Sequence, residues 1–193
     1  MHPLTPLAQQ AFSRAAGAPL VEGNRIRLLE DARENYPAWL EAIASARDHV
    51  HFESYIIYDD DAGKAFADAL LDRARHGVRV RVLYDWMGAL GKSSGRLWSR
   101  LRAGGVEVRC YNPPGFASPL GWLSRDHRKT IVVDGCIGVV AGLCVGDASI
   151  SCRSTTWARA SSPTRAKSCL ASSMRRPNLM FSVTTSRTRG PSA

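Results

Sequence analysis

Hydrophobic and polar positions alternate with two different periods along residues 23–147. The run from Val50 to Tyr58 is rich in β-branched and aromatic residues, which predicts a buried strand. From Val78 to Tyr84 valines alternate with arginines, a period of two that predicts a strand with one face in the core. The segments 25–29 and 106–111 predict two further strands.

Apolar residues recur at helical spacing between these strands. The spacing predicts helices over residues 34–47, 62–76 and 94–103. Strand and helix alternate through residue 111, and two short apolar runs, 130–133 and 137–140, follow a loop rich in Pro and Gly. This order predicts an α/β fold with a mixed β-sheet flanked by helices.

The pattern changes at both ends of the chain. We expect residues 1–22 to form a flexible leader and residues 23–147 to form the folded domain, with the motif region at 122–148. Residues 148–193 contain 17 Ser and Thr, 8 Lys and Arg, and no acidic residue. This composition favours a tail that is disordered or that results from a frameshift in a longer reading frame; a natural basic tail is the alternative.

The net charge of +9 belongs to the tail and not to the domain. Residues 1–147 hold 18 Lys and Arg against 17 Asp and Glu, a balance of +1, and residues 148–193 contribute the other +8. A nucleic-acid surface is therefore not favoured by the charge of the folded part. The 5 cysteines are odd in number and form no C-x-x-C pair, which favours free thiols in a reducing compartment.

The chain contains no segment that resembles a signal peptide or a membrane-spanning helix. Its longest apolar run, 137–145, is about half the length that a spanning helix needs. We expect a cytoplasmic protein or one that lies peripherally at the inner face of the membrane.

The strongest candidate chemistry lies at His127 and Lys129, just before the apolar run that begins at Thr130. On a strand these two side chains point to the same face. An imidazole beside an ammonium is suited to a phosphate group, because the imidazole attacks phosphorus or transfers a proton and the ammonium holds the non-bridging oxygens.

With Asp134 these residues complete the pattern H-x-K-x4-D, and here the sequence resembles the phospholipase D superfamily. In that signature a small pair and then an Asn follow the Asp after six residues. Ala141 and Gly142 occupy the positions of the small pair, and Cys144 stands where the family usually has Asn. The resemblance implies a phospholipase D-like half-domain, with Gly142 and Cys144 as residues that shape the site.

Upstream stretches are similar to the bacterial cardiolipin synthase branch of this superfamily. They are Gly23-Asn24-Arg25-Ile26, Phe52-Glu53-Ser54-Tyr55-Ile56, Asp60-Asp61-Ala62-Gly63, Gly77-Val78-Arg79-Val80 with Asp85, and Arg125-Asp126-His127-Arg128-Lys129. Together with the motif they cover residues 23–147, so the resemblance extends over the whole predicted domain.

The resemblance implies a two-step reaction through a phosphohistidine, without cofactor or metal. His127 would be the nucleophile or the acid, and Lys129 would stabilise the equatorial oxygens.

Asp134 lies an odd number of residues from His127, so we interpret it as a structural anchor at the strand end. For Glu53 two interpretations stay open, a hydrogen-bond partner behind the site and a solvated strand end. His49, His51 and Glu53 alternate on one strand, but without a fourth ligand we favour ordinary polar residues over a metal site.

The family's site needs two motifs, and this chain has one. A carboxylate expected further downstream is absent from Thr155-Thr156-Trp157-Ala158-Arg159. Three hypotheses stay open: the N-terminal half of a lipid-directed phosphatidyltransferase, a homodimeric single-motif nuclease or phosphodiesterase, and an inactive fragment. The nearly neutral domain and the apolar residues of the preceding loop favour a phospholipid over nucleic acid as substrate. Those loop residues are Phe116, Leu120, Trp122 and Leu123.

Overall fold

The computed structural model describes residues 5–17, 24–115, 124–151 and 153–160. Helices are α1 (Thr5–Ala16), α2 (Ala32–Ala44), α3 (Asp61–Arg75), α4 (Trp86–Ala89) and α5 (Gly95–Ala103), and a 3-10 helix spans Asp147–Ser151. Strands are β1 (Arg25–Asp31), β2 (His49–Ser54), β3 (Arg79–Asp85), β4 (Glu107–Tyr111), β5 (Thr130–Val133), β6 (Ile137–Val140) and β7 (Arg153–Ala160).

The seven strands form one sheet in the order β1-β7-β6-β5-β2-β3-β4. Strands β2, β3 and β4 are parallel to one another, and the pairs β2–β5, β5–β6, β6–β7 and β7–β1 are antiparallel. The mixed sheet predicted from the alternation of strands and helices is therefore confirmed.

The hydrophobic core lies between the sheet and the helices α2, α3 and α5. Phe52 of β2 contacts Phe66 of α3 with a centroid separation of 6.0 Å. Phe66 also contacts the rings of Tyr36 and Trp39 on α2 at 5.3 and 6.0 Å. These aromatic side chains bury large apolar areas and fix the two helices against the strand that leads to the candidate site.

The opposite face of the central strands is polar. His51, Arg81 and Glu107 occupy one row across β2, β3 and β4, and the Arg81 guanidinium donates to the Glu107 carboxylate at 2.8 Å. Val80 and Val82 are buried on the core side, as the alternation of valine and arginine predicts.

Short polar side chains begin the helices. Asp31, Asp60, Asp85 and Ser94 are the N-cap residues of α2, α3, α4 and α5, and each side chain accepts a hydrogen bond from a backbone N–H of the first turn. Such caps satisfy N–H groups that have no partner inside the helix.

Two regions differ from the organisation expected from sequence. The segment expected to be a flexible leader contains helix α1, and the segment after residue 147 contributes the 3-10 helix and β7 to the structure. Strand β7 lies between β1 and β6, with Arg25 opposite Ala160 and Val140 opposite Trp157. Ladder bonds from two neighbours stabilise a strand whose own sequence has only a weak period of two, so tertiary pairing overrides the local pattern. Residues 161–193 lie outside the described residues.

In the described part of the chain no helix is long and apolar enough to cross a membrane. Among the side chains that the structure describes, Cys110, Cys136 and Cys144 form no disulfide bond.

Candidate active site

Four connecting segments meet at the edge of the sheet where the parallel strands end. Residues 55–58 follow β2, α4 follows β3, residues 141–146 follow β6, and residues 124–129 precede the antiparallel β5. Val145 accepts a hydrogen bond from the Tyr58 N–H at 2.9 Å, which joins two of these segments. The carboxyl edge of a sheet is where α/β proteins place their binding sites, because several loops converge there.

His127 and Lys129 lie in the irregular segment just before β5 and not on the strand itself. They still face the same group, which is the ring of Tyr55. The imidazole of His127 packs on this ring with centroids 4.0 Å apart and planes at 30°, and Lys129 Nζ lies 5.3 Å from the ring centroid. Lys129 Nζ also donates to the backbone carbonyl of His127 at 2.7 Å. The histidine is exposed, so its ring is open to solvent beside the ammonium.

Asp134 lies at the turn between β5 and β6, at the opposite end of β5 from His127. Its φ is positive, at 52°. Its carboxylate accepts the backbone N–H groups of Arg47, Asp48 and His49 at 2.8–2.9 Å. Burial alone would raise its pKa, but these three donors outweigh burial and the pKa is lowered. The contacts are those of a structural anchor that ties the turn to the start of β2.

Glu53 is buried at the end of β2 and accepts a hydrogen bond from the Thr130 hydroxyl at 2.8 Å. Arg128 Nε lies 3.9 Å from the same carboxylate oxygen. Burial raises the pKa of Glu53, while Arg128 and Thr130 act in the opposite direction. Glu53 therefore lies behind the loop that carries His127, with protein partners rather than a solvated strand end.

A further set of charged residues supports the same loop. Its members lie in stretches that carry the resemblance to the family, but no role was predicted for them from sequence. The Asp126 carboxylate is buried and accepts two hydrogen bonds from the Arg128 guanidinium, at 2.8 and 2.7 Å. This charged hydrogen bond raises the pKa of Arg128. The Asp126 N–H in turn donates to Asp85 at 2.9 Å. The signal available in the sequence was the position of Asp85 at the carboxyl end of a buried strand.

Cys144 lies in the segment after β6, next to residues that follow β2. Burial raises the pKa of its thiol, while Lys129 and the Ile56 N–H oppose this shift. The Tyr36 hydroxyl lies 2.7 Å from the Cys144 carbonyl and holds this segment against α2. Gly142 is exposed in the same segment. The structure therefore brings Cys144, Lys129 and His127 into one region.

Within the described residues no three His, Cys, Asp or Glu side chains are grouped as a metal site would require. The rings of His49 and His51 are 5.0 Å apart on β2, but His49 Nδ1 lies 3.0 Å from Asp48 and Glu53 is hydrogen-bonded to Thr130. The positive charge beside His127 comes from Lys129.

Two sequence predictions concern side chains outside those that the structure describes. The apolar loop residues between 116 and 123 lie outside the described residues. For β7 the backbone alone is described, which includes the stretch from Thr155 to Arg159.

Comparison with known proteins identifies the family. Residues 39–166 match the family model described as cardiolipin synthase, PLD-like domain. The chain is 38% identical over 132 residues to a cardiolipin synthase of Alkalihalophilus pseudofirmus, covering 67% of this chain and 26% of that protein. It is 38% identical over 148 residues to cardiolipin synthase A of Pseudomonas putida, covering 72% of this chain and 29% of that protein. The chain thus spans a little over a quarter of the length of these relatives.

Solved structures show the same fold. The phospholipase D family member Nuc of Salmonella typhimurium superposes with a TM-score of 0.62 at 18% identity, covering 79% of this chain and 93% of that one. Phosphatidylserine synthase of Haemophilus influenzae superposes with a TM-score of 0.57 at 16% identity, covering 76% of this chain and 35% of that one. With the family model matching most of the sheet and all of H-x-K-x4-D, the chain belongs to the cardiolipin synthase, PLD-like domain family.

Proposed function

We propose that this chain carries one half of the active site of a cardiolipin synthase-like phosphatidyltransferase, acting on phospholipids at a membrane surface. The observation that carries the proposal is the pairing of an exposed His127 with Lys129 on one aromatic ring, in a chain that belongs to this family. The nearly neutral charge of residues 1–147 supports a lipid rather than a nucleic-acid substrate.

In the proposed reaction a ring nitrogen of His127 attacks the phosphorus of a phosphodiester. A nitrogen–phosphorus bond forms, the bond from phosphorus to the leaving alcohol breaks, and a second histidine gives its proton to that alcohol. An incoming alcohol then attacks phosphorus, transfers its proton to the second histidine and releases His127. Lys129 stabilises the negative charge on the equatorial oxygens in both steps.

The second histidine has to come from a second motif. We propose that it is supplied by a second copy of this chain or by a second motif-bearing half. Asp134 is a positioning residue in this scheme, and Glu53, Gly142 and Cys144 support the loops that carry His127 and Lys129.

The test uses vesicles of phosphatidylglycerol that carries a radiolabel in its phosphate. The full chain is incubated with the vesicles, and covalent label on the protein is measured after alkaline quenching, together with released glycerol and labelled cardiolipin. We expect label on the protein that is lost in His127→Gln. The matched control is His76→Gln, which removes an exposed histidine at the end of α3.

Parallel reactions use bis-p-nitrophenyl phosphate and supercoiled plasmid DNA. Cleavage of DNA without any reaction of phosphatidylglycerol would favour the homodimeric nuclease or phosphodiesterase instead. Labelling that survives in His127→Gln would contradict the role given to this histidine, and no reaction with any of the three substrates would leave the inactive fragment as the better description.

A further inference from the structure

Tyr55 is the one ring that both motif side chains contact among the described residues. It follows β2 directly and is partly buried. His127 packs on it at 4.0 Å between centroids, and Lys129 Nζ lies 5.3 Å from its centroid. An ammonium within about 6 Å of an aromatic centroid is attracted by the ring. Tyr55 therefore contacts the proposed nucleophile and the proposed phosphate ligand at the same time.

The His127 ring has little else to orient it. In the described part of the chain its two ring nitrogens make no hydrogen bond, and the residue is exposed. A histidine that attacks or protonates is usually held by a hydrogen bond from a carboxylate or carbonyl to its other nitrogen. Contact on the ring face is different, because it fixes the plane of the imidazole and leaves both nitrogens available within that plane.

Gly88 of α4 determines where the Tyr55 ring can lie. A Cβ atom at this position would be 2.3 Å from the Tyr55 carbonyl oxygen and 2.9 Å from two of its ring carbons. The Asp85 carboxylate accepts the N–H groups of Met87 and Gly88 at 3.0 Å, and it also accepts the Asp126 N–H at 2.9 Å. One buried carboxylate thus fixes both the turn behind Tyr55 and the residue that precedes His127.

We infer that Tyr55 is a positioning residue, whose ring face sets the plane of the His127 imidazole and the place of the Lys129 ammonium, and that Gly88 is required to seat this ring. The inference rests on the proposed function of His127 and Lys129. It assigns the effect to the aromatic face and not to the hydroxyl, so phenylalanine at position 55 should preserve it and an aliphatic residue should not.

The first measurement is an NMR experiment on the full chain that needs no substrate. Carbon and hydrogen atoms of an imidazole stacked on a ring resonate upfield of those in an exposed histidine. We expect upfield His127 ring protons in the wild type and in Tyr55→Phe, and values near those of an exposed histidine in Tyr55→Leu. His127→Gln assigns the signals. Gly88→Ala should also displace them, because the ring has to move.

The matched control is Tyr84→Leu. Tyr84 stacks on Trp98 with centroids 3.9 Å apart, a pair that contains none of the site residues. This variant loses a stacked aromatic ring too, and its His127 signals should stay at the wild-type positions. Thermal unfolding of each variant shows which of them are folded, and the comparison is made among those.

The second measurement is turnover in the phosphatidylglycerol assay. We expect kcat of Tyr55→Leu to fall on the order of 10²-fold, since small misplacements of reacting groups have effects of this size, and kcat of Tyr55→Phe to stay within about threefold of wild type. Equal losses in both variants would overturn the inference in favour of a hydroxyl role. Unmoved His127 signals in a folded Tyr55→Leu would overturn it directly. Displaced signals in a chain that never turns over would sustain the positioning role and refute the proposed function alone.

Discussion

The turn after β5 depends on a single carboxylate. Asp134 accepts three consecutive backbone N–H groups, from Arg47 to His49, and it adopts a φ of 52°, a region in which Asp and Asn are favoured over most side chains. The last position of H-x-K-x4-D therefore has a clear structural role at the opposite end of β5 from His127.

Asp134→Ala should lower the free energy of unfolding by roughly 2 kcal/mol. Three hydrogen bonds to a charged carboxylate are lost, and alanine has to adopt a left-handed backbone conformation that it disfavours. Urea denaturation, monitored by circular dichroism, measures this change in the free energy of unfolding. Asp134→Asn is the control, since it keeps an acceptor oxygen and tolerates the same φ, and its loss should be smaller. Equal losses would show that the charge and not the geometry stabilises the turn.

His51 makes stability depend on pH. Burial, the nearby His49 and the charge of Arg81 lower its pKa to about 4 from an ordinary value near 6.5. Below pH 6.5 the unfolded chain takes up a proton that the folded chain does not take up until about pH 4. Stability is therefore fully present above pH 6.5 and is lost as the pH falls between these values, by up to ~3 kcal/mol from this group.

Urea denaturation of the wild type and of His51→Gln between pH 4 and pH 7 measures this dependence. We expect a flatter profile for the variant, while His76→Gln, which removes an exposed histidine, should follow the wild type. A His51→Gln profile as steep as that of the wild type would assign the dependence to other groups.

Residue patterns predicted His127 and Lys129 as a pair on one face and Asp134 as an anchor at the strand end, because each position is set by a short apolar strand; the contacts of all three agree with this, and the catalytic roles stay a prediction. They could not reveal that Tyr55 lies against both motif side chains. That contact depends on three connections meeting at one edge of the sheet, and on the lack of a side chain at Gly88. Neither condition leaves a local signature in the sequence.

At the scale of elements, the segment that follows β6 is held by helix α2, which lies more than 100 positions earlier in the sequence. The Tyr36 hydroxyl of α2 lies 2.7 and 2.9 Å from the carbonyls of Cys144 and Gly146, and it accepts the Gly146 N–H at 3.0 Å. One hydroxyl thus accepts a backbone N–H and shares its single proton between two carbonyls of an irregular segment, which keeps Cys144 close to the site.

Tyr36→Phe should lower the free energy of unfolding by about 1–2 kcal/mol, because buried backbone groups lose their partner. It should also speed alkylation of Cys144, measured by mass spectrometry after iodoacetamide pulses. Tyr111→Phe is the control, since it also removes a tyrosine hydroxyl, one that lies at an exposed contact 3.5 Å from the Ser124 hydroxyl. An unchanged Cys144 alkylation rate in Tyr36→Phe would mean that the segment is held by other contacts.

Elements with strong periodicity between α2 and β6 were predicted well, whereas the four-residue helix α4 was not predicted. Helix α1 was missed because its sequence resembles a loosely ordered leader, although Leu7, Ala8, Ala11, Phe12 and Ala15 follow helical spacing. Strand β7 was missed because a central position between two strands stabilises residues whose own pattern is weak. The first error overlooked a local pattern, and the second came from judging a segment without its neighbours.

For the whole molecule, β7 connects the edge strand β1 to the rest of the sheet. Leu29 of β1 is fully buried, so the core extends to this edge. We expect a chain that ends at residue 152 to lose the cooperative unfolding transition, because β1 has no strand to pair with, whereas a chain that ends at residue 166, where the family match stops, should retain it.

Differential scanning calorimetry of the two shortened chains and of the full chain checks this expectation. A sharp transition of wild-type enthalpy in the shorter chain would place the boundary of the folded unit at or before residue 152, in agreement with the change of composition near residue 148. Its loss in both shortened chains would mean that residues after 166 are also needed for stability.

The pairing of Arg25 with Ala160 also governs when the fold can be completed during synthesis. Strands β2, β3 and β4 pair with one another within residues 49–111, but β1 has no partner until β7 has left the exit tunnel. Throughout that interval an unpaired strand edge and the side chain of Leu29 are exposed to other nascent chains. We therefore expect a pause in translation before codon 160 to prolong the period in which β1 lacks its partner and the chain is most open to aggregation.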